Sequence, residues 1–138
     1  MMWDQVLKRL VATVEQDVVL SGIYGTAMRL AGTGKTFEPA AAPILEWTII
    51  GDTESELWSP VIIQFDQWAL TLGVVTTSER RLRTLFHQDL PTEYGGVIMW
   101  AQYEEGSVLA SPDRNGFAGR AIRFRFTPLR ERYAGLTD

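Results

Sequence analysis

The chain contains no cysteine, one histidine and only two lysines. The first absence excludes a disulfide framework, a thiolate metal site and a cysteine nucleophile together. With His87 the sole imidazole, most zinc ligand sets cannot be assembled. Apolar runs are short as well, and none approaches the ~18 to 20 residues needed to cross a bilayer. A basic excess is also missing: 13 bases stand against 17 acids, for a net charge of −4. That argues against a dedicated nucleic-acid binder, which uses such an excess to displace counterions. The first residues carry Asp4 where a secretion signal would carry a base. The expectation is a protein made and kept in a reducing cytoplasm, or assembled from there, with no membrane partner.

What is present is enough for one core. The 138 residues are 46% hydrophobic and 22% charged, the range of a globular domain that buries roughly two-thirds of its unfolded surface. One domain over 1–138 is expected, with a loosely ordered tail from about residue 128. Eleven of the thirteen basic residues are arginine. Arginine suits planar, multiply bonded contacts with carboxylates and partner surfaces, although a GC-rich genome would produce the same bias.

Periodicity supplies the elements. Trp3, Val6, Leu7, Leu10, Val11 and Val14 fall on one helical stripe, with the helix stopping within 16–19. A strand region is expected over 23–30, broken by Gly32-Thr33-Gly34. A second strand is expected over 44–50, where Leu45, Trp47 and Ile49 alternate with Glu46 and Thr48. The strongest strand signal runs over 59–70, apolar on both faces at its start. Thr76-Thr77-Ser78-Glu79 has capping-box spacing and predicts the start of a second helix, with Leu82, Leu85 and Phe86 buried and Arg80, Arg81 and Arg83 outward. Two more strands are expected over 97–104 and 120–127. In the last, Ile122, Phe124 and Phe126 oppose Arg123, Arg125 and Thr127, and Pro128 ends it. The fold class is therefore α+β: a mostly antiparallel sheet of about five strands with two helices packed on one face.

Candidate chemistry is sparse. Gly32-Thr33-Gly34-Lys35-Thr36 looks like the end of a phosphate loop, but Arg29 stands where the first glycine belongs and Phe37-Glu38-Pro39 follows where a helix should begin. His87 reads as a helix-end dipole partner or surface residue. Asp52, Glu54 and Glu56 lack the framework of a calcium loop, and no serine sits in a nucleophile elbow. No catalytic residue, metal or cofactor is expected. Two features fit contact surfaces instead: the acidic stretch Asp52, Glu54 and Glu56 with Leu57 and Trp58 beside it, and the row Arg120, Arg123 and Arg125. The row also reads as a solvated face with cross-strand partners such as Glu104.

The order of these parts resembles the tail completion, or tail terminator, proteins of long-tailed bacteriophages and related tail-like particles. The likeness is carried by the opening amphipathic helix, Ile23-Tyr24, the strand after Pro43, Gln64-Phe65-Asp66-Gln67-Trp68-Ala69 running toward a helix, and Pro112-Asp113-Arg114-Asn115-Gly116 leading into Arg120-Ala121-Ile122-Arg123-Phe124-Arg125-Phe126. It spans about 3–127. The loop over 32–43 is longer, and the tip over 52–58 more acidic, than that family leads one to expect. The resemblance implies a structural virion protein without catalysis or cofactor. It would form a hexameric ring on the last ring of the tail tube, end tube growth and offer the surface for the head–tail connector protein, with DNA passing through the lumen. A mildly acidic total suits a channel that lets DNA slide. The acidic loop and the arginine strand would then meet between neighbours or face the tube. Another head–tail connector or minor tail protein, or a small α+β ligand-binding module, are the alternative readings.

Overall fold

A computed structural model describes residues 2–25, 27–30, 43–50, 60–87, 90–94, 97–109 and 116–129. The chain runs α1 (Met2–Glu15), α2 (Val18–Tyr24), β1 (Met28–Leu30), β2 (Ile44–Ile50), β3 (Val61–Ala69), α3 (Leu72–Phe86), β4 (Thr92–Tyr94), β5 (Val97–Leu109) and β6 (Ala118–Pro128). The six strands form one sheet in the order β1-β2-β3-β6-β5-β4. The five strands from β2 to β6 are antiparallel to their neighbours, and β1 joins parallel to β2. The α+β class and the mainly antiparallel sheet agree with the sequence. The helix count does not: the described residues hold three.

The extra helix is α2, where the sequence predicts the end of one helix and the start of a strand. Val-Val-Leu-Ser-Gly-Ile-Tyr is poor helix material by propensity. The helix is imposed from outside. Asp17 caps its start by accepting from Leu20 N–H at 3.0 Å, and the same carboxylate takes three contacts of 2.6 to 3.0 Å from Arg81 of α3. At its other end, the Tyr24 hydroxyl donates to Ser78 Oγ at 2.6 Å. Arg81 therefore does not face out as expected but ties two helices together. The start of α3 also differs. Thr71 is its N-cap, and the Thr76 hydroxyl donates to the Leu72 carbonyl within the helix at 2.9 Å. Glu79 is thus one turn too deep to complete a capping box.

The core lies between the helices and one face of the sheet. Val6, Leu10 and Val14 of α1, Leu20 and Tyr24 of α2, and Leu82 and Phe86 of α3 join Trp47, Phe65, Met99, Phe124 and Phe126 in one buried cluster. Phe86 is its hub. Its ring stacks on Phe65 at 5.8 Å and meets Phe124 and Phe126 edge-on at 5.7 and 5.5 Å, the edge-on pairs setting ring edges against ring faces. A small apolar cavity, about 20 Å³, sits between α1 and Trp47, Ile63, Phe65 and Phe126.

Candidate assembly interface

Strand alternation sends the remaining side chains to the second face of the sheet. At one end of that face Ile44, Trp68 and Ala121 are buried. Toward the other end it is polar and solvent-facing. Here Gln64 lies opposite Arg123, and Arg123 opposite Glu105. Arg123 Nε donates to Gln64 Oε1 at 2.8 Å and its Nη1 lies 3.3 Å from Glu105. Gln64 Nε2 in turn donates to Asp66 at 2.8 Å. Arg125 holds Glu104 through two bonds of 3.0 and 3.1 Å. That hydrogen bonding, assisted by the cation's charge, keeps the Glu104 carboxyl below its usual range and the Arg125 guanidinium above its own.

A bulge makes the double pairing available. The β5–β6 register slips between Tyr103 and Glu105, so Glu104 is the extra residue. Without the slip, consecutive glutamates would point to opposite faces. With it, Glu104 and Glu105 each reach an arginine on the same face, which is how bulges re-aim side chains.

The three arginines expected to form one row are divided between the two faces. Arg123 and Arg125 stand on the polar face, but Arg120 is in phase with Ile122 and points toward α3. There its Nε meets Glu79 at 2.8 Å. Gly106 leaves the necessary room: a Cβ at that position would lie 2.8 Å from Arg120 Nη2 and 3.0 Å from Tyr103 Oη. The alternation itself could have revealed this, since 120 has the parity of 122, 124 and 126. The other expected site residues, Asp52, Glu54, Glu56, Leu57 and Trp58, lie outside the described residues, as do the glycine-rich motif over 32–36 and the chain beyond 129.

His87 closes α3 and has a definite partner that the sequence did not signal. Its Nδ1 accepts the Tyr103 backbone N–H at 2.8 Å, so the proton on the neutral ring belongs to Nε2. Arg83 lies over the Tyr103 ring, 3.7 Å from its centre, a cation–π contact. Both hold the helix end against β5 at the bulge. Among the described residues no group of three or more acidic, histidine or cysteine side chains is placed to hold a metal, and no helix is long and apolar enough to cross a membrane.

No protein-family model and no curated protein matches this sequence. Solved structures do match in fold. A chain from the virion of a native gene transfer agent particle superposes with a TM-score of 0.66 at 9% identity, over 92% of this chain and 96% of that one. A second solved structure matches with a TM-score of 0.59 at 15% identity, covering 92% of each chain. At these identities the likeness is one of fold.

Proposed function

We propose that this chain is a structural subunit of a phage-like virion and, within it, the tail terminator. Copies close into a hexameric ring on the end of the tail tube, stop its growth and present the docking surface for the head–tail connector, while DNA passes through the lumen. The protein acts through shape and self-association, not through catalysis. The observation that carries this reading is the near-complete overlap, in both directions, with a chain of the gene transfer agent virion. That overlap supports the coarser part of the reading, a structural subunit of a phage-like virion. The order of motifs along 3–127 supports the same role.

The polar sheet face supplies the contact surface in this reading: planar guanidinium groups held in place by Gln64, Glu104 and Glu105 are already oriented for a neighbour. Electron microscopy of the purified protein, alone and mixed with tail tubes, tests the role. Six-fold rings seated on tube ends are expected. A stable monomer or dimer that ignores tubes would overturn the reading, and binding along a connector instead of a tube end would reassign it. Reversing charge at Arg123 and Arg125 together should abolish ring formation while the far-UV spectrum is retained. Unchanged sedimentation of that variant would remove this face from the interface.

A further inference from the structure

The two ends of the sheet are unequal. β4 covers only Val97 to Met99 of β5, whereas β6 flanks the other side from Met99 to Leu109. From Trp100 onward the outer rim of β5 has no strand beside it among the described residues, a stretch of roughly 33 Å. Long free rims invite pairing with another chain, and proteins guard them with bulges, charges or covering groups. The guards here cluster at one place: the bulge, Glu104 and Glu105, and His87 on the Tyr103 N–H. The next four residues, Gly106, Ser107, Val108 and Leu109, are uncharged, and Val108 is 78% exposed.

The direction of each backbone group follows from the ladder. Ile98 faces β6, where its carbonyl accepts from Leu129 N–H at 3.0 Å, so Val97, Met99, Ala101 and Tyr103 face outward. Past the bulge Glu105 lies opposite Arg123, which has the phase of Arg125 and faces β5. Gly106 and Val108 therefore turn their N–H and C=O groups away from β6. At the opposite end of the sheet, Leu45 N–H donates to the Ala27 carbonyl at 2.9 Å. Ala27 and Arg29 thus face β2, and Met28 and Leu30 turn their backbone groups outward.

We propose that the rim of β5 at residues 106–109 seats the β1 edge of a second copy, so that one sheet continues from subunit to subunit. This rests on the ring reading and specifies how its subunits join. A match in phase favours a copy of this chain as the occupant. The outward residues at both ends share a face: Met28 and Leu30 oppose Leu45 and Trp47, and Gly106 and Val108 oppose Ile122 and Arg120, so pairing extends the helix-side face without a break in phase. Among the described residues the sheet has two different unpaired edges, and head-to-tail joining of different ends is the contact that closes rings.

The absence of cysteine makes the test clean. Leu30→Cys and Val108→Cys are purified separately, mixed and treated with oxidant or a short bismaleimide. A linked pair containing one of each is expected, and the double variant should give a ladder of covalent multimers that ends at a closed species. Val108→Cys linked to itself would mean two-fold β5 pairing and would overturn the proposal. So would an internal link in the double variant, or no link in either experiment. Val108→Pro is a second arm. It removes an N–H that turns away from β6 and has no partner among the described residues, so the monomer should keep its spectrum and melting point while multimers disappear; multimers that persist would count against the joint. Rings on tube ends without cross-links would keep the ring reading and reject this joint. Cross-linked ladders from a protein that ignores tubes would keep the joint and reject the tail-end role.

Discussion

The two faces of this sheet are made from alternate residues of the same strands, yet they are held by different physics. On the helix side, Phe65, Phe86, Phe124 and Phe126 form a continuous, buried aromatic contact network, and each fully buried side chain contributes on the order of 2 kcal/mol. On the other side, Arg123, Arg125, Glu104 and Glu105 form ion pairs in contact with solvent, where water competes and each pair adds little to stability. One face therefore determines whether the chain folds. The polar end of the other can change without unfolding it, which leaves that end free to determine what the folded chain touches.

Substitutions should separate the two faces sharply. Phe124→Ala, at the centre of the helix-side face, should cost about 3 to 5 kcal/mol in denaturant unfolding; a smaller loss would mean that the core collapses around the gap. Asp17→Ala should cost about 1 to 2 kcal/mol through the lost cap alone, with melting of α2 ahead of the rest visible in amide exchange. Asp17 also has a pH signature. Burial pushes its carboxyl up, but the hydrogen bonds from Arg81 and from Leu20 N–H, together with the Arg81 charge, outweigh this and hold it below its ordinary value of 3.8. The stabilisation is therefore complete above that value and is lost as pH falls through the depressed one. Unfolding measured from pH 7 down to pH 2 should show Asp17→Asn losing less stability than wild type below about pH 4. Gly106→Ala should shift stability by no more than about 1 kcal/mol, because the nearest atom in its way is the flexible end of Arg120. Its crystal structure should show Arg120 displaced from Glu79. Smallest of all, Glu104→Gln should leave the melting curve superimposable on wild type at both low and high salt.

The elements that sequence reading located are those whose pattern repeats. The stripe of α1 and the alternation of β2, β3, β5 and β6 are visible because many residues state the same period. The misread parts depend on single contacts across the fold. Nothing in Val18 to Tyr24 signals a helix until Arg81 and Ser78 are known to lie beside it. Thr71 displaced Thr76 as the cap because Gly73-Val74-Val75, weak helix formers, were absorbed into the first turn of α3. β4, three residues after Pro91, is too short to carry a period at all. At the candidate interface, Arg123 and Arg125 were legible from alternation, and Glu104 was legible as a cross-strand partner. Glu105 was not, because only the register slip puts it on the same face.

That slip has a consequence for chain length. The ladder on either side of Glu104 keeps the same pairing, Tyr103 with Phe124 and Glu105 with Arg123, so the extra residue is a self-contained insert. Deleting it would leave every other rung in place and deprive Arg125 alone of its carboxylate. Evolution can therefore add or remove one residue at this point, retuning a single surface charge contact while the rest of the strand is inherited unaltered.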